Sequence, residues 1–152
     1  MGAYIPRLSQ ELAVVACIDP DAYTTGTTVS DIIDMRYHKR VIFIVQAGTL
    51  GSSATVDFVV FADSAAAMGT ESAMTGKVIT QLTEAGTDSD KQAIVEVTAE
   101  EVAAHVAGGR YVRGKLVVLV ATSDAGMIAL ADRSRYAPAS DFDLASVDEI
   151  VA

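Results

Sequence analysis

Two apolar runs rich in β-branched and aromatic residues dominate the hydrophobic pattern, and a short loop rich in Gly and Ser separates them. The first run, residues 41–45, is apolar at every position, which predicts a strand covered on both faces. The two-residue period divides the second run into two faces. The apolar face is formed by Val56, Phe58, Val60 and Ala62, and the mixed face by Thr55, Asp57, Val59, Phe61 and Asp63. Gly48 and Gly51 in the loop adopt positive φ without steric penalty. The pattern predicts a β-hairpin at the centre of a sheet.

Shorter apolar runs in the first half of the chain predict a strand and two connections. Residues 12–18 are apolar throughout and predict a strand buried on both faces. The turn-forming sequence Asp-Pro-Asp at residues 19–21 is expected to end it. Residues 23–28 predict a loop or a weak edge strand, and residues 64–75 predict a long connection.

The second half of the chain predicts four more strands, at residues 77–83, 91–98, 110–122 and 127–133. In the first of these strands one face is formed by Val78, Thr80 and Leu82. The predicted inward-facing side chains of the other three are Ala93, Val95 and Val97; Val112, Gly114, Leu116, Val118 and Val120; and Ile128 and Leu130. Ile94 and Glu96 are expected to face outward. Because most of these runs are separated by short turn-forming segments, hairpin connections are expected.

One short helix interrupts the strands. Thr98 and Glu101 have the spacing of a capping box, in which each side chain binds the backbone of the other residue. Val102 and Val106 follow four residues apart, and Gly108-Gly109 is a typical stop. The sequence therefore predicts about two turns of helix after residue 98, held by packing.

Together these elements predict an all-β fold, an antiparallel β-sandwich of jelly-roll-like type with one short helix and extended N- and C-terminal arms. The predicted sandwich spans residues 13–137. Residues 1–12 form the N-terminal arm, and residues 138–152 form an acidic and apolar C-terminal tail. The length of 152 residues is sufficient for one domain with a substantial core.

The charge balance narrows the range of partners. The formal net charge is −9 at pH 7, which argues against nucleic acid and against an anionic membrane surface as partners. The densest basic cluster, Arg36, Lys39 and Arg40, is explained by a solvated approach to a strand.

The sequence also indicates the cellular compartment in which the protein is made. Its single cysteine, Cys17, lies in an apolar run and excludes a framework of internal disulfides. No run of about 18 apolar residues predicts a membrane span, and the N-terminus lacks the pattern of a secretory signal. The expectation is a protein made in a cytoplasm.

Residues that could carry chemistry are sparse. His38 and His105 have no Cys or Glu partner at metal-ligand spacing, and Glu84, Asp88 and Asp90 lack a calcium-loop pattern. The glycines of residues 48–53 lead into a strand rather than a helix and lack the phosphate-loop Lys. No Gly-x-Ser-x-Gly elbow is present. We therefore expect no catalytic, cofactor-binding or metal-binding residue, no cofactor and no enzymatic activity.

Several short segments resemble small virion proteins encoded among the head genes of tailed bacteriophages. They are Asp34-Met35-Arg36-Tyr37, Ala47-Gly48-Thr49, Ser53-Ala54-Thr55-Val56-Asp57, Gly76-Lys77, Ile79-Thr80-Gln81-Leu82 and Arg110-Tyr111-Val112-Arg113. The resemblance covers roughly residues 30–137. It implies a protein of the capsid surface that decorates the shell or cements its capsomers, made in the host cytoplasm. It assigns no functional residues.

The partners that this resemblance implies are the major capsid protein and other copies of this chain, expected as a homotrimer. Val59 and Phe61, or Val117 and Leu119, are candidate contact residues. The alternative for these four is that the second layer of the sandwich covers them, which we favour.

Two other functional classes stay open. A head-fibre or tail-associated module would bind a host-surface glycan or protein, but it would need an exposed aromatic platform, and the chain has no Trp. An enzyme of unrecognised type would need a concave pocket with converging titratable groups.

Overall fold

The computed structural model describes residues 7–132 and 134–151. Strands account for about half of them: β1 (Leu12–Tyr23), β2 (Gly26–Val29), β3 (Ile33–Asp34), β4 (Arg40–Ala47), β5 (Thr55–Asp63), β6 (Ser72–Val78), β7 (Leu82–Thr83), β8 (Gln92–Thr98), β9 (Tyr111–Leu119) and β10 (Ser123–Asp132). The helical segments are α1 (Leu8–Glu11), α2 (Ala99–His105) and a 3-10 turn at Ala139–Phe142.

The strands form two antiparallel sheets packed face to face. The first sheet has the order β1-β10-β4-β8, and the second has the order β2-β9-β5-β6, with β3 also paired to β9 and β7 to β5. In the second sheet, β2 and β3 both pair with β9, and β6 and β7 both pair with β5. Counting each of these two pairs as one strand gives four strands in each sheet. The chain then passes between the sheets in the order of a jelly roll. The predicted fold class is therefore confirmed.

The core lies between the two inner faces, and its centre is an aromatic contact across the sheets. Phe43 of β4 and Phe58 of β5 are both fully buried, with ring centroids 5.7 Å apart. Gly114 of β9 leaves room for the Phe58 ring, because a Cβ at this position would lie 2.4 Å from the ring atom Cζ. The predicted inner faces of β5 and of β9 as far as Val118 are confirmed.

The predicted central hairpin is wrong, because β4 and β5 belong to different sheets. Their inner faces oppose each other, so the loop between them crosses the sandwich. The glycines of this loop serve close packing rather than positive φ. A Cβ on Gly51 would lie 2.4 Å from the Thr122 carbonyl oxygen, and one on Gly48 would lie 2.9 Å from the Cβ of Asp124. Ser53 is the residue of the loop with positive φ, at 60°.

Hairpin connections are also fewer than the sequence suggests. β5 and β6 are consecutive and paired, whereas β8, β9 and β10 alternate between the sheets. A connection of given length suits either a hairpin or a crossing, so the turn sequences alone do not distinguish them.

The predicted inward face of the last strand is wrong by one residue. Ala125, Met127, Ala129 and Ala131 of β10 are buried, whereas Ile128 and Leu130 lie on the outer face and are half-buried. The larger side chains were expected inside because of their hydrophobicity. The strand pairing to β4 fixes the direction of β10 instead, because Ala129 lies opposite the core residue Phe43 and Ile128 lies opposite the outward Ile44. Residue 133 of this predicted strand lies outside the described residues.

Two strand ends also differ from expectation. β1 does not stop at the Asp-Pro-Asp sequence but continues to Tyr23, because an irregularity between Ile18 and Asp21 absorbs the turn-forming residues. At the end of β9, Val120 is not part of the inner face. It has φ of 75° and is 67% exposed, and Ala121 N donates to Leu119 O in a tight turn around it.

The predicted strand at 77–83 is broken into β6 and β7, and β6 begins within the predicted connection, at Ser72. Val78, Thr80 and Leu82 do not share one environment as predicted, because Val78 and Thr80 are exposed and Leu82 is buried. Upstream of β6, the buried Asp63 organises the loop, because its carboxylate accepts hydrogen bonds from Ala65 N and from the backbone and hydroxyl of Thr70. These bonds lower the pKa of Asp63.

The helix and the strand before it agree with the sequence. Thr98 and Glu101 form the predicted capping box, and Val102 is fully buried. In β8, Val95 and Val97 face the core, whereas Ile94 and Glu96 are exposed.

The described part of the C-terminal tail lies against the sandwich. Val14 N donates to Asp143 Oδ1 at 2.7 Å, and Leu144 N donates to Val14 O at 2.8 Å, so the tail seals the outer edge of β1. Phe142 packs on Tyr37 and, edge to face, on the buried His38. Of the predicted N-terminal arm, residues 1–6 lie outside the described residues; the rest contains α1 and the first residue of β1.

Replacing Gly114 with Ala should destabilise the fold by about 1–3 kcal/mol, because the added methyl group overlaps the Phe58 ring and the core is overpacked. Urea denaturation measures the effect. Gly69→Ala is the matched control, since nothing lies within 4 Å of a Cβ there. Equal stability of the two variants would contradict the described packing.

Stability should also fall between pH 7 and pH 5. Burial lowers the pKa of His38 below its usual value of about 6.5, against a smaller opposing effect of Asp34. The unfolded chain therefore takes up a proton at higher pH than the folded chain, and stability is lost as the pH falls below about 6.5. The free energy of unfolding of His38→Gln should decrease less over this interval than that of the wild type. Parallel pH profiles of the two proteins would argue against this role of His38.

Candidate functional site

The outer face of the first sheet carries an uncovered apolar surface. Five large aliphatic side chains of β4, β8 and β10 form it: Ile42, Ile44, Ile94, Ile128 and Leu130. We call this set the isoleucine face. Ile94 is 61% exposed and the other four are half-buried. The two-residue period of each strand produces this face, because the intervening residues are the core side chains.

Strand register assembles these side chains into two rows across the sheet. Ile44 lies between Ile94 of β8 and Ile128 of β10, and Cys17 continues the row on β1. In the second row, Ile42 lies opposite Leu130. Directly opposite side chains on one face of a sheet are in contact distance, so the two rows form a continuous apolar surface.

Polar side chains border the isoleucine face at both ends of the strands. At one end, Arg40 forms ion pairs with Asp132 and with Glu96, the latter at 4.0 Å. At the other end, Gln46 lies opposite Gln92. Side-chain hydrogen bonding to Asp132 raises the pKa of Arg40, which keeps the guanidinium charged. An apolar centre with a polar rim is the anatomy of a protein interface.

The outer face of the second sheet differs in carrying a cluster of charged side chains that pair with one another. Arg113 binds Glu71 through two contacts of 2.6 and 2.7 Å, and Lys115 pairs with the same carboxylate while lying over the Phe61 ring. Hydrogen bonding from Arg113 lowers the pKa of Glu71. These interactions satisfy the charged groups within the chain. Part of the apolar surface of this face is nevertheless exposed, as at Val78, which is 57% exposed.

The four contact candidates from the sequence lie on this second face. Val59, Phe61 and Val117 are half-buried and Leu119 is 40% exposed, so the second layer of the sandwich does not cover them, contrary to the favoured interpretation. The isoleucine face was missed. Ile42 and Ile44 were expected to be covered on both sides, and Ile128 and Leu130 were assigned to the core.

The residues considered for metal chemistry are kept apart by the fold. His38 is buried beside Phe142, whereas His105 contacts the Ser72 hydroxyl at 3.0 Å. Asp88 accepts from Thr83 N and pairs with Lys91 at 2.9 Å, which accounts for its lowered pKa. Within residues 7–132 and 134–151, no group of three or more His, Cys, Asp or Glu is arranged to hold a metal ion.

Cys17 and the basic cluster have structural explanations. The Cys17 thiol is half-buried beside Asp19 and Asp31, and burial with these nearby carboxylates raises its pKa, so it is a poor nucleophile. Arg36 pairs with Asp34, in the same way as Arg40 pairs with Asp132. None of the helices in the described part of the chain is long and apolar enough to span a membrane.

No protein-family model and no curated protein matches the chain. Among solved structures, a protein in the structure of infectious bursal disease virus strain Gx is similar over 87% of this chain, with 10% identity and a TM-score of 0.46. The chain corresponds to 34% of that protein's length.

Two further solved structures are similar. A chain of Desmodium yellow mottle tymovirus has 7% identity and a TM-score of 0.35, over 89% of this chain and 95% of its own length. The K1 adhesin domain of Lys-gingipain from Porphyromonas gingivalis has 14% identity and a TM-score of 0.34, over 74% of this chain and 66% of its own. At TM-scores below 0.5 these similarities do not bear on function, and the fold assignment rests on the strand order.

Neighbouring residues of β4 provide a test of the isoleucine face. Ile44→Thr should cost little stability, because the residue lies on an uncovered strand face that tolerates a β-branched polar side chain. Val45→Thr should cost more, by about 1–3 kcal/mol, because it buries a hydroxyl in the core. Urea denaturation compares the two. A larger loss for Ile44→Thr would mean that this side chain belongs to the core.

Proposed function

We propose that the protein is a non-enzymatic structural component of a tailed-phage virion that decorates or cements the capsid by binding the major capsid protein. The observation that carries this proposal is the isoleucine face, a polar-rimmed apolar surface that no described segment of the chain covers. Single exposed aliphatic residues are ordinary on a protein surface, whereas a contiguous group indicates a binding surface.

The size of the isoleucine face favours a repeated partner over a single one. Three strands at about 4.8 Å spacing and about four residues of each strand give an area on the order of 200 Å². A stable complex between two proteins usually buries about 800 Å² on each partner. This face alone would therefore bind weakly. On a shell, contacts to neighbouring copies add to it, and linked weak contacts give high total affinity.

The remaining features agree with attachment to a shell. Jelly rolls are common in capsid proteins, although this fold also hosts lectins and enzymes and does not assign function by itself. The net charge of −9 disfavours binding to the packaged genome. We further propose that copies associate on the capsid surface, with a homotrimer as the expected state, and that the protein is made in the host cytoplasm.

The test uses purified protein and capsid shells of the phage that encodes it. The wild type should co-sediment with the shells and raise their resistance to heat or chelators. Ile44→Lys should lose this binding, because it places a charge at the centre of the isoleucine face.

Val117→Lys is the matched control, since it adds the same charge to the outer face of the second sheet. Circular dichroism verifies that both variants are folded. Loss of shell binding in Val117→Lys alone would assign the contact to the second sheet. Failure of the wild type to bind any shell would refute the proposed function.

A further inference from the structure

The first sheet ends at β8 with an edge whose backbone groups are available for pairing. Two bonds at the ends of the β4–β8 pair, from Ala47 N to Lys91 O and from Ala99 N to Lys39 O, fix the hydrogen-bonding phase. In an antiparallel pair every second residue directs its backbone N–H and C=O groups to the neighbouring strand. Counting in steps of two from Lys91, the residues of β8 that bond to β4 are Ala93, Val95 and Val97. The N–H and C=O groups of Gln92, Ile94 and Glu96 therefore point away from the sheet.

Two edge groups at the C-terminal end of β8 have partners within the chain, whereas those of Gln92 and Ile94 do not. Lys77 Nζ donates to Glu96 O at 2.7 Å, and Thr98 N donates to Glu101 Oε2 at 2.8 Å. At the opposite edge of the sheet, the tail seals β1 at Val14. Within the described ranges, no residue pairs with the backbone groups of Gln92 and Ile94. An unpaired strand edge is a template for strand addition.

We propose that a second copy of this chain pairs with this edge, β8 to β8 in antiparallel orientation, around a two-fold axis at Ile94. This pairing gives a dimer as the state of the isolated protein, in place of the homotrimer that the resemblance implies. The sequence of β8 fits this register. Ile94 meets its own equivalent, and Gln92 lies opposite Glu96 of the second copy, so that an amide meets a carboxylate on the exposed face. In this register Glu96 O accepts from Gln92 N of the second copy in addition to Lys77 Nζ, which the two lone pairs of a carbonyl oxygen allow. A two-fold contact of this kind uses the same residues on both copies.

Pairing at β8 joins two isoleucine faces into one surface. The row that contains Ile44 and Ile94 continues into the same row of the second copy, and the first sheet becomes eight strands wide. The doubled surface would be the one that contacts the shell, and this part of the inference rests on the proposed function. The pairing itself does not, since it is tested on the isolated protein.

Cysteine cross-linking tests the pairing and its register, in a Cys17→Ser background. In the proposed register the Cα atoms of residue 94 and its equivalent are about 5.5 Å apart, which suits a disulfide. Ile94→Cys should therefore form a disulfide-linked dimer under mild oxidation. Gln92→Cys, equally exposed, should not, because the register separates it from its equivalent by four residues, about 13 Å. The double variant Gln92→Cys/Glu96→Cys should again cross-link.

Sedimentation equilibrium provides a second measurement without cross-linking. Ile94→Pro removes an edge N–H that β4 does not use, so the fold keeps its ladder of hydrogen bonds. Each dimer loses two inter-copy bonds, which should weaken self-association about ten- to a hundredfold. Equal cross-linking of Ile94→Cys and Gln92→Cys, or unchanged self-association of Ile94→Pro, would overturn the proposed pairing and leave shell binding untouched.

Discussion

The contact between Phe43 and Phe58 across the two sheets is the interaction on which the rest of the structure depends. It sets the facing direction of β4 and β5, and strand pairing then transmits that direction to β8, β9 and β10. Because side chains alternate along a strand, fixing the inward residues also fixes the outward ones. The isoleucine face is thus the necessary counterpart of the core, since Ile42 and Ile44 alternate with Val41, Phe43 and Val45.

The sequence predicts those parts of the fold in which polarity and period agree. The inner faces of β5 and β8, most of that of β9, and the capping box of α2 follow from alternation or spacing alone. β10 was assigned one residue out of register, because its outward Ile128 and Leu130 are more hydrophobic than its inward alanines. Hydrophobicity decides a strand's orientation only when one face is polar, and β10 has apolar side chains on both.

The interaction surface could not be predicted for the same reason. An isoleucine that faces a partner and one that faces the core have the same sequence signal, and only the pairing of strands distinguishes them. The crossing between β4 and β5 gives no local signal either, since its small residues serve contact with Ala121 and Thr122, far away in sequence. The function could not be predicted from the fold either, because the jelly roll is shared by proteins of many activities.

The seal that Asp143 and Leu144 form over β1 has a consequence for how far the first sheet can grow. A sheet with two free edges is able to add units without limit and so to form a ribbon or fibre. Here the tail occupies the backbone groups of Val14 at the β1 edge, so a strand added along this edge would have to displace it. The tail therefore opposes ribbon formation, because it disfavours extension of the sheet at the β1 edge.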